Sequence, residues 1–271
     1  MAIPNRVSDR LAQGIKRFQP ILASAKTRDV NESDTSMIVG DMLAEVFGYD
    51  KYHEITRELC IRGTYCDLAT RVEGKIQLIV EVKAIGLELK DAYIKQAVDY
   101  AANQGIEWIA LTNGNLWRVF RVMFAKPIDA ELVLDIDLLA GNPKSQAYLD
   151  SLYLLTRESM LKSGLYAHYD QLQATNRFYL AAVLLTDAVL ETTRREMRRL
   201  SDAKVSVDDL REALKQDVIK REVIEGEKAD QAARKVTRAA GKVLRVRRER
   251  EGDQTPAAPE PAEPPTEPEQ V

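Results

Sequence analysis

The sequence predicts a mixed α/β sheet core flanked by helices, followed by an all-helical C-terminal region and a disordered acidic tail. Three observations predict it. Between His53 and Phe124, short apolar runs are punctuated by turn residues around a single helical stretch, the order of a sheet with one crossover helix. Helical periodicity dominates before and after that segment. The last residues, DQTPAAPEPAEPPTEPEQV, hold Pro and Glu with no basic residue, a composition that cannot bury a core.

In chain order, Val7, Leu11, Ile15, Phe18 and Leu22 recur every three or four residues and predict a first helix over about 1–29. Asn31, Ser33 and Asp34 supply cap-type residues for a second helix reaching Gly48, with Met37, Ile38, Met42, Leu43, Val46 and Phe47 as its apolar members. Glu45 borders that stripe. Strands are expected over 54–61, 64–72 and 76–83, the last two joined by a Glu73-Gly74 turn. A helix over 88–103 follows, then strands at 108–111 and 116–122 around Asn113-Gly114-Asn115, whose Asn-Gly step is a strong hairpin signal. A strand at 131–136 completes a core of 30–137. Helices are expected over 143–163, 168–200, 206–224 and 227–250, making a helical region of 143–250 with a basic last helix, before the 251–271 tail.

Composition removes several classes of function. Among 271 residues, 39 Lys+Arg face 42 Asp+Glu, a net charge of −3 that conceals a basic helix followed by an acidic tail. The longest apolar run, 178–185, falls far short of the ~18 residues of a membrane span, so no membrane association is expected. The N-terminus lacks a signal-peptide core, and Cys60 and Cys66 are the only cysteines, so a reducing, cytoplasmic setting is expected. With two Cys and two His, His53 and His168, a Cys/His zinc site is out of reach and a metal would be held by oxygen. GxxxxGK[ST], GxGxxG and GxSxG are all missing, so no nucleotide cofactor is expected.

The chemistry concentrates in QLIVEVKAIG, residues 77–86. Glu81 and Lys83 are two apart on a strand whose other members are apolar, so they share a face and need partners, water or a metal there. Taken alone, Glu-x-Lys also fits the outward face of an edge strand. Asp67, across the Glu73-Gly74 turn, comes near Glu81 if the hairpin pairs as the turn suggests. Two adjacent carboxylates repel, and one takes up a proton unless a cation lies between them. Mg²⁺ is the natural occupant. An ammonium at Lys83 can then orient a metal-bound water and offset charge developing on a phosphate. Gln96 and Tyr100 follow at i and i+4 on the next helix, on the face of Leu89 and Tyr93.

Glu45, Asp67, Glu81-x-Lys83 and Gln96-x-x-x-Tyr100 together resemble the PD-(D/E)xK nuclease superfamily, with its restriction-endonuclease-like fold. More narrowly, 81–122, EVKAIGLELKDAYIKQAVDYAANQGIEWIALTNGNLWRVFRV, resembles the N-terminal nuclease domain of type I restriction enzyme R subunits, without their translocase motor. The resemblance spans about 30–125, with Cys66-Asp67 in place of a Pro-Asp pair. It implies a metal held by Asp67, Glu81 and the carbonyl of Val82, with Glu45 as a further acid. Lys83 would position the attacking water, Gln96 would act in the same catalytic set, and Gln96 and Tyr100 would support the site or contact the DNA backbone. The implied activity is Mg²⁺-dependent cleavage of DNA, with Mn²⁺ able to substitute and RNA as the other polymer that fits the chemistry. Defence against foreign DNA comes from the resemblance alone. The rival expectation is a catalytically idle nucleic-acid-binding or partner-binding protein on the same fold.

Elsewhere, Trp108 and Trp117 are expected to pack on the sheet, Cys60 and Cys66 to be buried, and the two His to have no role. Between 234 and 250, eight basic residues (Arg234, Lys235, Arg238, Lys242, Arg245, Arg247, Arg248, Arg250) face one acid, Glu249. Arg238, Lys242, Arg245, Arg247 and Arg248 are the candidates for following a phosphate backbone. The helical region is also a candidate surface for a homo-oligomer or a partner protein.

Overall fold

A computed structural model describes residues 3–61, 64–124, 127–202 and 204–252. The side chains of 59–65, 91 and 242–252 lie outside that description, as does the tail from 253. The expectations for Cys60 and the acidic tail therefore fall outside it, as do those for the side chains of Lys242, Arg245, Arg247 and Arg248. The chain divides into two compact units, Met1–Leu172 and Gln173–Val271.

The first unit is built on a six-stranded sheet in the order β1 (Ile55–Ile61), β2 (Thr64–Val72), β3 (Lys75–Val82), β4 (Trp108–Thr112), β5 (Leu116–Met123) and β6 (Asp129–Asp137). Every neighbouring pair is antiparallel except β3 and β4, which are parallel. A parallel pair needs a crossover, and α3 (Lys95–Gln104) supplies it. Helices α1 (Asn5–Thr27) and α2 (Glu32–Glu45) precede the sheet. Val7, Leu11, Ile15, Phe18 and Leu22 of α1, Val39, Met42 and Leu43 of α2, and Leu78, Val80 and Val82 of β3 belong to one buried core. On the other face, Ile79 and Ile109 pack with Ala97, Tyr100 and Ala101 of α3.

Four expected helices differ from what forms. The helix expected over 88–103 begins only at Lys95; before it lie a loop and a 3₁₀ turn at Asp91–Ile94. Polar caps also cut the long C-terminal helices into shorter ones. In the first unit these are α4 (Gln146–Tyr153), α5 (Arg157–Leu161) and α6 (Gly164–Ala174). Ser145 caps α4 and Thr156 caps α5, each side-chain oxygen accepting a backbone N–H that would otherwise be orphaned. The helices that follow the sheet up to 172 fall in the first unit.

Arg10 fastens the start of this unit to its end. Its guanidinium donates to both carboxylate oxygens of Glu158 at 2.8 and 2.7 Å and to the carbonyl of Val46 at 3.0 Å. Burial pushes the Glu158 carboxyl up, but the Arg10 hydrogen bonds and charge outweigh it, and the net shift is below the ordinary 4.5. A depressed carboxylate pKa stabilises the fold above the unfolded value, and that contribution is lost as pH falls through the folded value. Arg10→Ala should therefore cost about 1–2 kcal/mol at pH 7, with the side chains partly solvated. In urea titrations at several pH values, its difference from the parent chain should shrink below pH 4.5. A constant difference would mean that the pair contributes through packing alone.

The second unit consists of α7 (Arg177–Leu184), α8 (Asp187–Ser201), α9 (Val207–Ala213), a π turn at Leu214–Val218, α10 (Arg221–Ile224) and α11 (Glu227–Gly252). Asn176 and Ser206 cap α7 and α9. Among the described residues, its buried ones are Ala181, Leu190, Leu210, Val223, Ala229 and Val236. Among the described residues, no helix is long and apolar enough to cross a membrane.

Candidate functional site

The β2–β3 hairpin decides what Glu81 meets. Glu73 (φ 52°) and Gly74 (φ 76°) both have positive φ, the requirement of the tight two-residue turn that matches strand twist. Val72 pairs with Lys75 and Arg71 with Ile76 directly beyond it. Continued unbroken, that register would set Asp67 opposite Val80, on the apolar core face. An irregularity between Thr70 and Arg71 shifts it by one residue, so Thr70 pairs with Leu78 and Leu68 with Val80. A one-residue shift exchanges the faces of a strand, and here it moves Asp67 to the level of Glu81. The ladder stops at Leu68, and Asp67 Oδ2 itself accepts the N–H of Val82 at 2.7 Å.

Glu81 follows Ile79 on the face that α3 covers. Lys83 lies just past β3, with its own N–H bonded to the Thr112 carbonyl at 2.8 Å. Its Nζ donates to Glu81 Oε1 at 2.7 Å, and these side chains are only 16 % and 13 % exposed. Burial raises the Glu81 carboxyl above its ordinary value; the Lys83 hydrogen bond opposes this and the Asp67 charge adds to it, leaving a net rise. For Lys83, burial lowers the pKa, but the hydrogen bond and charge of Glu81, then Glu32 and Asp67, prevail and raise it. Lys83 is therefore a firmly protonated ammonium near neutral pH, suited to orienting and neutralising rather than to accepting a proton. The cluster sits at the carboxyl ends of the parallel strands β3 and β4, where open α/β sheets place their ligand sites.

Glu32 completes the cluster, and sequence reasoning missed it. It lies in the first turn of α2 and its Oε2 is 3.5 Å from Lys83 Nζ. Read as a sequence, it is one more acid beside the cap Asn31. The loop after Lys83 passes close to the α1–α2 connection there: a Cβ on Gly86 would lie 2.2 Å from Asp29 Oδ1, so a larger residue would make the Asp29 carboxylate move aside. Glu45 is a correction. It lies at the far end of α2, about 20 Å along the axis from Glu32, where it is ion-paired with Arg17. The structure does not bring it to Glu81.

Gln96 differs from expectation in its placement. Because α3 starts late, Gln96 is in its first turn and exposed, not on a shared apolar face. Tyr100 is 4 % exposed and hydrogen-bonds with Cys66, whose thiol burial pushes up to about 11. A side chain so enclosed supports the strand beside Asp67 and is not open to a DNA backbone. Trp108 and Trp117 are 1 % and 0 % exposed, so they pack on the sheet as expected.

The Asn-Gly turn does more than reverse the chain. Asn113, 5 % exposed, donates to the carbonyls of Leu87 at 2.9 Å and Ile85 at 3.4 Å. It also accepts from the N–H groups of Asn115 and Leu116 at 3.2 and 2.8 Å. One buried amide thus ties the β4–β5 turn to the loop leaving Lys83. Asn113→Ala leaves these groups unpaired and should cost about 2–3 kcal/mol in urea unfolding. Amide hydrogen exchange should speed up in 84–90; a loss of stability with unchanged exchange there would disprove the tether.

A mixed sheet with two carboxylates and a lysine gathered at one strand end defines the class to which this core conforms. Residues 39–133 match the family described as Type I restriction enzyme R protein N terminus (HSDR_N), and this region resembles the N-terminal region of type I R subunits. The match covers less than half of the chain and includes Asp67, Glu81, Lys83, Gln96 and Tyr100, while Glu32 lies just ahead of it. No curated protein and no solved structure matches the chain.

Proposed function

We propose that the first unit is a divalent-metal-dependent nuclease that hydrolyses phosphodiester bonds in DNA. The observation that carries this reading is the bulge-shifted hairpin, which sets Asp67 beside Glu81 with Lys83 on the same carboxylate. The donor set fits a hard cation: all its groups are oxygens, and Glu81 is an acid whose charge burial and Asp67 both disfavour. Asp67, Glu81 and the Val82 carbonyl would hold Mg²⁺, with Mn²⁺ as a substitute. Such an ion, when bound, supplies Lewis acidity and an activated water. The chain's own part is to hold the carboxylates against repulsion, to keep Lys83 protonated, and to offer it to an anionic phosphate. Glu32 gives Lys83 a second acceptor when Glu81 is otherwise engaged. The family's printed description, a restriction enzyme component, supports DNA as substrate and a defence role.

A second reading, an idle binding module on the same fold, is favoured by one observation. Among the described residues, no group of three or more His, Cys, Asp or Glu is placed to share a metal. Incubating purified chain with supercoiled and linear DNA in Mg²⁺, Mn²⁺ or EDTA separates the two. Cleavage that EDTA abolishes is the expected result. DNA binding without cleavage under every ion would favour the idle module.

A further inference from the structure

We propose that α11 is a duplex-DNA backbone site in its own right, gripping phosphates through Arg234, Lys235 and Arg238 without reading base sequence. Ala229 and Val236 of α11 are buried at 7 % and 6 %, and Ala232 is half-buried, against a unit in which α7 is the main neighbour. At about 100° per residue, Arg234 and Arg238, each two positions from Val236, project some 160° away from that seam. Lys235 flanks it, with Nζ 5.7 Å from the ring centre of Tyr179. Together with Gln231 and Ala239, these three basic residues line an open groove of about 600 Å³.

Two of the three also lack a carboxylate partner among the described residues, a state that Arg195 and Arg198 of this unit share. Four other arginines are matched to carboxylates: Arg177 to Glu222 at 3.0 Å, Arg194 to Glu191 at 2.9 Å, Arg199 to Glu196 at 2.7 Å and Arg211 to Asp187 at 2.6 Å. Among the described residues, Arg234 and Arg238 have none. From 234 to 238 is about 6 Å of helix, alongside which a duplex presents about four phosphate charges. Guanidinium forks suit that partner. A lipid surface would need the apolar seam for insertion, and that seam is already buried.

The site does not depend on whether the Asp67–Glu81–Lys83 cluster cleaves, and the test keeps the two apart. Full-length chain carrying Lys83→Ala is held in EDTA, so that DNA stays uncut. Its binding to short labelled duplexes of unrelated sequence is followed by fluorescence anisotropy across a salt series. Adding Arg234→Gln, Lys235→Gln and Arg238→Gln should weaken binding about 10–100-fold at low salt. The slope of log K against log salt should fall by about two to three, one for each lost phosphate contact. A control with Arg177→Gln, Arg194→Gln and Arg199→Gln changes net charge equally at paired arginines and should stay within about twofold. Circular dichroism should show unchanged helix content in both.

Equal losses in the two variants would mean diffuse attraction and overturn the site. So would no loss in the first, no binding by the parent, or tighter binding to anionic phospholipid vesicles than to duplex. Intact binding with no cleavage by the unsubstituted chain in Mg²⁺ would leave α11 standing and count only against the nuclease reading.

Discussion

Lys83→Ala should reduce metal-dependent DNA cleavage by at least about 10²–10³-fold, the scale of losing one preorganised charge at a reacting centre. The raised pKa of Lys83 assigns its role: held as an ammonium by Glu81, with Glu32 behind it, it acts through its charge. Lys83→Arg, which keeps the charge but changes its reach and shape, should recover part of the activity. Asp67→Asn should be at least as damaging, since Asp67 both bonds the Val82 N–H and supplies half of the carboxylate pair. In Lys83→Ala, the largely buried Glu81 loses its 2.7 Å partner and takes up a proton more readily, so the fold should persist. Lys90→Ala, an exposed lysine farther along the same loop, serves as the control and should cleave normally. Full cleavage by purified Lys83→Ala or Asp67→Asn would sink the assignment of the site.

Trp117→Ala should lower stability by about 3–5 kcal/mol, the largest single loss expected in the core. The side chain is fully buried, meets Phe47 edge-on with centroids 5.3 Å apart and planes at 68°, and donates from Nε1 to the Gly114 carbonyl at 3.1 Å. Against the 5–15 kcal/mol typical of whole domains, that loss leaves a marginal first unit. The midpoint of urea unfolding should fall while the slope holds. Trp117→Phe, which preserves an aromatic contact but strands the carbonyl, should cost about 1–2 kcal/mol. A base-stacking tryptophan would behave in the opposite way, losing DNA affinity with little change in unfolding. That result would contradict its burial.

Much of the fold was legible because its signals are local. The apolar spacing of α1, the Glu73-Gly74 and Asn113-Gly114 turns, and the runs of β2, β3, β4 and β5 each depend on residues a few positions apart. Each appears within a few residues of its expected place. The late start of α3 and the segmentation of the C-terminal helices were harder to see. Helical periodicity continues through 88–94 and past Thr156 and Asn176, and only the competition between caps and ladder bonds ends those helices.

The sequence by itself determined that two carboxylates and a lysine would lie on neighbouring strands of a mixed sheet, because the alternation of a strand and the short turn leave little choice. Tertiary structure decided which acid joins them from α2. Glu45 and Glu32 are alike as sequence, an acid at either end of one amphipathic helix. The packing of α2 against the core sets its N-terminal end, with Glu32, at Lys83, while Arg17 takes Glu45 at the other end. The register shift at Thr70 was equally invisible, since a bulge is settled by packing on both faces of a sheet at once. Local pattern fixes what an element is; only the assembled core fixes which of its ends meets the chemistry.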